Sequence, residues 1–184
     1  MMRLTDLLNE GVYDPGILKC IFLAGGPGSG KSYTAKEIFG VGKSAISSVS
    51  AGGLKLVNSD MAFEKALKDN GINPKDLGKI EQENPKMWDM VAGEDNPNSI
   101  RNQAKGITKK QQAFYEAGRL GLIIDGTGDE VTKIKEKKAH AENLGYDCYM
   151  VFVNTSLEVA QKRNTSRDRT LSDDRVTQIW KARQ

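Results

Sequence analysis

Four short runs of apolar residues stand out along the chain, and longer segments with helical periodicity separate them. The runs cover residues 20–24, 54–57, 120–124 and 148–153. Short apolar runs bounded by turn residues are typical of buried strands. Strands that alternate with helical segments favour right-handed crossovers and a parallel sheet with helices on both faces. The pattern therefore predicts an α/β fold.

Polar signals predict where three helices begin. Residues 127–130 read Thr-Gly-Asp-Glu and residues 155–158 read Thr-Ser-Leu-Glu. Both fit a capping box, in which a threonine N-cap and an acid three residues later satisfy free backbone N–H groups. Ser172 stands directly before two aspartates, as a cap ahead of an acidic first turn would.

The stretch from residue 70 to residue 100 is the least regular part of the sequence. It contains three of the five prolines together with several Gly, Asn and Asp residues, which predicts an insert of short helical pieces joined by turns. Met87, Trp88 and Met90 in its middle are expected to form a satellite core. The alternative for Trp88 is a role that faces the substrate, because inserts often carry binding residues.

The length of the chain limits the number of domains that it can form. A chain of 184 residues suits one domain with an ordinary hydrophobic core. We therefore expect residues 1–184 to form a single domain, with residues 1–16 as an N-terminal extension that carries a short amphipathic helix. A further helix is expected over residues 102–118.

The charge balance and the cysteines indicate a cellular compartment but do not identify a binding partner. The 27 basic and 24 acidic residues are too evenly balanced to indicate nucleic acid by themselves. Cys20 and Cys148 lie in apolar runs, where a small buried thiol is the usual role, and a reducing cytoplasm is the simplest setting. No apolar run approaches the ~20 residues of a membrane span, so we expect a cytoplasmic protein without a membrane partner.

A complete phosphate-binding loop follows the first apolar run. It matches the pattern G-x-x-x-x-G-K-[ST] and consists of Gly25, Gly26, Pro27, Gly28, Ser29, Gly30, Lys31 and Ser32. Its glycines allow backbone N–H groups to converge on phosphate oxygens, and the next helix adds the positive end of its dipole. Lys31 is expected to reach the β- and γ-phosphates, and the Ser32 hydroxyl to ligate Mg²⁺. Together with Tyr33, these residues are the expected contacts to a nucleoside triphosphate.

Two carboxylates are expected to follow strands at the edge of the sheet where the loop lies. Asp60 comes soon after the second apolar run, and Asp125 comes directly after the third. Because parallel strands end at one edge, both acids should face the triphosphate. Asp125 is placed to hold the Mg²⁺ hydration shell, and Asp60 to take a proton from an attacking hydroxyl. Helix or turn capping is the alternative role for each acid.

An arginine-rich segment over residues 163–172 has the character of a lid. The arginines of this region are Arg163, Arg167, Arg169 and Arg175. A segment of this type can close over the γ-phosphate, neutralise charge in the transition state and exclude water. Arg163 and Arg167 are the expected phosphate contacts. The alternative is a solvated basic turn.

Several motifs, in order over residues 18–183, resemble phosphate-loop kinases of the zeta toxin and polynucleotide kinase group. They are Leu-Ile-Ile-Asp125-Gly-Thr, Leu144-Gly145-Tyr146, a strand ending at Val153, and Arg163-Asn164-x-x-Arg167-x-Arg169. The segment Asn58-Ser59-Asp60 is similar to the second-strand signature of that group, whose acid acts as catalytic base. The likeness to phage-encoded members favours a viral source.

This resemblance implies a definite fold and activity. The expected fold is that of the phosphate-loop NTPases, with a parallel sheet in the order 2-3-1-4. The implied activity is transfer of the γ-phosphoryl group of ATP to a hydroxyl, with Mg²⁺ as cofactor. The residues expected to act in catalysis are Lys31, Asp60, Arg163 and Arg167, and those expected to hold the metal are Ser32 and Asp125.

The resemblance leaves the phosphoryl acceptor open. Polynucleotide kinases carry an arginine three residues after the catalytic acid, where this chain has Phe63, and zeta toxins have a longer C-terminal region. The candidate acceptors are a nucleotide sugar, a nucleoside or nucleotide, and a nucleic acid 5′ end. An inhibitor protein of the antitoxin type is a further candidate partner. An ATPase or nucleotide-dependent switch without an acceptor is the alternative function.

Overall fold

The sheet of this protein is four-stranded and entirely parallel. The computed structural model describes residues 16–41, 49–126, 131–166, 171 and 173–181. Its strands are β1 (Lys19–Ala24), β2 (Lys55–Val57), β3 (Leu122–Gly126) and β4 (Asp147–Phe152). They lie in the order β2-β3-β1-β4, which confirms the predicted class and strand order.

Eight α-helices connect and flank the strands within the described residues. They are α1 (Lys31–Phe39), α2 (Ser59–Asp69), α3 (Leu77–Glu83), α4 (Pro85–Ala92), α5 (Ile100–Ala117), α6 (Val131–Asn143), α7 (Leu157–Thr165) and α8 (Asp173–Lys181). A short 3₁₀ helix, Pro74–Asp76, precedes α3. None of these helices combines the length and the apolar character that crossing a membrane requires.

The described residues group into two compact units. Of the described residues, the sheet unit contains 16–24, 31–41, 49–57, 112–126 and 131–152. The helical unit contains 25–30, 58–111, 153–166, 171 and 173–181.

Alternate residues of the central strands form the core of the sheet unit. Cys20 and Phe22 of β1 pack with Leu122 and Ile124 of β3, and all four are buried. The ring of Tyr146 lies in the same cluster, and its hydroxyl donates to the Leu120 carbonyl at 2.9 Å. Each fully buried large apolar side chain contributes roughly 1.5–3 kcal/mol. Burial also raises the pKa of the Cys20 thiol, because a thiolate is poorly solvated there.

The helical unit has a core of its own, built largely from the irregular insert. Phe63 and Leu67 of α2 pack with side chains from α3, α4 and α5. Met87 and Trp88 pack against this cluster, as predicted, and the insert consists of short helical pieces. Met90 does not belong to the cluster. Its side chain is 67% exposed, so the prediction of a buried Met90 was wrong.

Several boundaries differ by one or two residues from those that the sequence predicts, and two of the differences have a clear structural reason. The third strand begins two residues late, because the Leu120 N–H instead bonds the Tyr115 carbonyl and closes the end of α5. Ser156, rather than Thr155, caps α7, and its Oγ accepts from the Val159 N–H at 3.4 Å. The Thr155 carbonyl instead accepts a hydrogen bond from the Trp180 indole at 2.7 Å. The other predicted capping box, residues 127–130, falls outside the described residues, as does Ser172.

Candidate active site

The phosphate-binding loop runs from the end of β1 to the start of α1. Strand β1 ends at Ala24 and α1 begins at Lys31. Between them, the Ser29 N–H donates to the Gly26 carbonyl at 3.2 Å and closes a tight turn. Gly28 and Gly30 have φ angles of +72° and +104°, which residues with a Cβ adopt only under strain. The motif therefore folds as the turn that its glycines allow.

Gly28 is also fixed by its contact with α7. A Cβ atom at this position would lie 2.3 Å from the Ala160 carbonyl oxygen, far inside van der Waals contact. The neighbouring atoms belong to helix backbone and cannot move aside cheaply. The third glycine of the motif is therefore required both for its backbone conformation and for close packing.

Ser29 supplies an observation that fits a bound phosphate. The residue is 94% buried, being 6% exposed, and its Oγ atom has no hydrogen-bond partner among the described residues. A buried hydroxyl without a partner costs about 1–3 kcal/mol. A phosphate oxygen in the loop would accept this hydrogen bond, so the residues present are compatible with a nucleoside triphosphate.

Arg163 of α7 lies against the same loop. Its Nη1 atom donates to the Ser29 carbonyl at 3.2 Å and lies 3.4 Å from the Gly28 carbonyl oxygen. A guanidinium carries five N–H donors in a planar fork, so these contacts leave other donors of the group for a ligand. Of the predicted lid arginines, Arg167 and Arg169 fall outside the described residues, and Arg175 lies in the first turn of α8.

Helix α1 begins with Lys31 and Ser32, the last residues of the motif, and continues with Tyr33. Buried Ala35 anchors this helix in the sheet unit, while the Ser32 and Tyr33 side chains are exposed. Lys31 is partly exposed at the first position of the helix. All three side chains are therefore accessible to a ligand.

Asp125 lies inside β3 rather than after it. It pairs in register with Leu23 of β1, one residue before that strand ends, and it is partly buried. The prediction that Asp125 directly follows the strand was wrong, because β3 runs on to Gly126. Carboxylate and hydroxyl oxygens are ligands that Mg²⁺ prefers, so Asp125 and Ser32 fit that metal by type. The capping alternative for Asp125 involves Thr127, outside the described residues.

Asp60 is not the cap of its helix. The Asn58 side chain caps α2, with its Oδ1 atom accepting from the Asp60 N–H at 2.7 Å and the Met61 N–H at 3.4 Å. The predicted alternative, in which Ser59 and Asp60 cap the helix, was wrong, since both lie within its first turn. The cap of α2 is therefore the Asn58 side chain and not the Asp60 carboxylate.

Arg101 is an ion-pair partner of Asp60, and the sequence patterns did not single it out. Its Nη1 atom lies 2.6 Å from Oδ1 of Asp60, and its guanidinium lies 4.9 Å from the centroid of the Phe63 ring. A partly exposed ion pair of this kind contributes only ~0–1 kcal/mol to stability. Since Arg101 follows Asp60 by 41 residues, no local spacing could have connected them.

A cavity of about 460 Å³ opens beside this pair, within the helical unit. Phe63, Trp88 and Arg101 contribute to its wall, together with residues of α3 and α8. Its size is within the range of small-molecule sites. Trp88 packs on the local core, as predicted, and it also lines this cavity, while a role that faces the substrate stays a prediction.

The loop, the parallel sheet and its strand order define a phosphate-loop NTPase fold. A family model described as an AAA domain, AAA_33, matches residues 20–183, and the chain belongs to this family. No curated protein matches the sequence.

Two solved structures share the fold. One is the Pnkp1/Rnl/Hen1 RNA repair complex, with a TM-score of 0.56 and 13% identity over 91% of this chain and 44% of that one. The other is the PezAT chromosomal toxin–antitoxin system of Streptococcus pneumoniae, with a TM-score of 0.54 and 17% identity over 89% and 57%. The chain therefore spans about half the length of these structures, and at such identities the likeness is one of fold.

Proposed function

We propose that this protein is an ATP-dependent kinase that transfers the γ-phosphoryl group to a hydroxyl of a small or polymeric acceptor. The observation that carries the proposal is the complete phosphate loop, in which buried Ser29 presents an unsatisfied hydroxyl and Arg163 lies against the loop carbonyls. Membership of the AAA domain family supports nucleotide binding. The position of Asp60, which does not cap its helix, supports transfer to an acceptor rather than nucleotide binding alone.

In this proposal each residue has one task. The loop amides of residues 25–30 and the Lys31 ammonium bind the phosphates, and Tyr33 contacts the nucleotide. Arg163 and Arg167 neutralise charge that develops on the γ-phosphoryl oxygens. Asp60 accepts the proton of the acceptor hydroxyl as its oxygen bonds to the γ-phosphorus. The bond from that phosphorus to the bridging oxygen breaks, and ADP leaves with the electron pair.

Mg²⁺ is the metal that the donor set favours. Ser32 and Asp125 would hold it, directly or through its water shell, and when bound it spreads the negative charge of the phosphates.

The acceptor and the setting belong to the same proposal. The candidate acceptors are a nucleotide sugar, a nucleic acid 5′-hydroxyl, and a nucleoside or nucleotide. Two of the solved structures that share the fold are an RNA repair complex and a toxin–antitoxin system. An antitoxin-type inhibitor, a cytoplasmic setting, a single domain and a phage source stay predictions.

A transfer screen tests this function. The protein is incubated with ATP labelled at the γ-phosphorus and with RNA and DNA 5′-hydroxyl ends, UDP-N-acetylglucosamine or nucleosides in turn. We expect label to appear in one acceptor class. Release of labelled phosphate at a full rate that no acceptor changes would instead favour an ATPase or switch.

A further inference from the structure

The cavity beside Arg101 is lined by residues of two chemical kinds. Phe63 and Trp88 are aromatic, and Arg101 and Lys105 are cations. Flat rings stack on aromatic side chains, and guanidinium and ammonium groups bind phosphate oxygens. A ligand with both a planar ring and an anionic group therefore matches the wall better than a sugar or a hydrocarbon.

The charges of the wall limit how anionic that ligand can be. Among the described residues, the cavity is lined by three cations, Arg101, Lys105 and Arg175, and by two carboxylates, Glu81 and Glu94. These side chains carry a net charge of +1, and Arg101 is already paired with the Asp60 carboxylate. This balance suits a single phosphate group and disfavours a long polyanion, which would meet both glutamates.

Arg101 connects the cavity to the proposed base. One guanidinium nitrogen bonds Asp60, and the plane of the group lies over Phe63. The remaining N–H donors of the fork can bind an anion in the cavity while the contact to Asp60 is kept. An anion bound in this way would share Arg101 with the proposed base.

We propose that this cavity is the acceptor site and that it takes a nucleoside monophosphate, with the base against Trp88 and the phosphate on Arg101 and Lys105. Arg101 supplies a guanidinium beside the Phe63 ring, 4.9 Å from its centroid. The assignment of the ligand as a phosphoryl acceptor rests on the proposed kinase function. The binding itself does not require transfer.

Calorimetric titration of the full chain tests the site. The probes are UMP and AMP, the matching nucleosides, ribose 5-phosphate and a ten-nucleotide oligouridylate. We expect at least one monophosphate to bind roughly tenfold or more tightly than its nucleoside and than ribose 5-phosphate, since each lacks one of the two contacts. The oligomer should bind no more tightly than the monophosphate.

Variants assign the two contacts. Arg101→Gln should weaken the monophosphate roughly tenfold or more and leave the nucleoside unchanged, whereas Trp88→Leu should weaken both. Lys110→Gln removes a charge from the opposite face of the same helix and should change neither. Thermal melting confirms that each variant is folded, and Arg101 and Trp88 serve as independent tests should either variant unfold.

Any of three results would overturn the proposal. They are no monophosphate binding by the unaltered chain, equal affinities in Arg101→Gln and Lys110→Gln, or an oligomer that binds tenfold or more tightly than the monophosphate. The last result would identify a polynucleotide site. Arg101-dependent binding without any phosphoryl transfer would preserve the site and count against the kinase. Transfer with an acceptor KM that is unchanged in Arg101→Gln would support the kinase function and count against this acceptor site.

Discussion

The Arg101 guanidinium bonds the Asp60 carboxylate at 2.6 Å, and the two residues belong to different helices, α5 and α2. The helix that carries Asp60 begins with a different cap, so this carboxylate is not needed to satisfy backbone N–H groups. An ion pair with 44% of the Asp60 side chain still exposed contributes little stability. The pair therefore adds little to folding stability, and a role of the Asp60 carboxylate in the proposed reaction stays a prediction.

Replacement of Asn58 by alanine tests which residue caps α2. The Asn58 Oδ1 atom accepts from the Asp60 and Met61 N–H groups, and a lost N-cap costs about 1 kcal/mol. We expect Asn58→Ala to lower the free energy of unfolding in urea by about that amount, while Asp60→Asn changes it by less than about 0.5 kcal/mol. A larger loss of unfolding free energy in Asp60→Asn than in Asn58→Ala would show that Asp60 caps the helix instead.

Gly28 and Gly71 form a matched pair, because both have a φ angle of +72°. A Cβ atom at Gly71 would meet no atom within 4 Å, whereas one at Gly28 would lie 2.3 Å from the Ala160 carbonyl. Gly71→Ala should therefore cost about 1 kcal/mol, the penalty of the backbone conformation alone. Gly28→Ala should cost at least about 2 kcal/mol more and weaken ATP binding.

Urea unfolding and calorimetric ATP titration of both glycine variants measure these effects. Equal destabilisation of the two variants would mean that the loop does not pack closely on α7.

Lys31→Ala should lower kcat/KM for phosphoryl transfer by about 100-fold or more, because a charge that stabilises the transferring group is removed. The matched control is Lys36→Ala, an exposed lysine of the same helix, which should retain activity. Circular dichroism melts check that both variants fold. Transfer at the normal rate by a folded Lys31→Ala protein would contradict the proposed mechanism.

Tyr146 predicts a pH dependence of stability. Burial, followed by the Glu116 carboxylate and Cys20, raises the pKa of Tyr146 from 10.0 to about 12. The folded state thus keeps the phenol proton longer than the unfolded state does. The corresponding stability is fully present below about pH 10 and is lost as the pH rises through about 12, a loss of about 3 kcal/mol.

Urea unfolding between pH 8 and pH 12 measures this loss, with Tyr146→Phe expected to show a shallower decline. Tyr149→Phe, at a tyrosine with 56% exposure, is the control. Identical declines in the unaltered chain and in Tyr146→Phe would show that the buried phenol is not the cause.

The sequence predicts the local features of this protein better than the distant ones. The phosphate loop is contiguous, and its glycines and Lys31 can be identified from spacing alone. The strand order was expected from family resemblance. The start of β3 was predicted two residues too early. Leu120 closes the end of α5 instead of beginning the strand, and its apolar character is compatible with either structure.

Candidate caps and long-range contacts account for the other differences. Three neighbouring polar residues, Asn58, Ser59 and Asp60, can all cap a helix, and the sequence does not rank them. Arg101 could not be assigned to Asp60 because the intervening insert, with its short helices, determines where α5 begins. The exposure of Met90 likewise depends on how α4 packs on its neighbours. The convergence of Asp60 and Asp125 at one edge stays a prediction.

The most direct measurement of the central claim compares nucleotide binding and phosphoryl transfer in Asp60→Asn. Asparagine keeps the shape of the side chain but is no longer a base, so ATP affinity should stay within about twofold while transfer falls by about 100-fold or more. Transfer is followed with ATP labelled at the γ-phosphorus and the best acceptor of the screen. Transfer by Asp60→Asn at the rate of the unaltered chain would contradict the account.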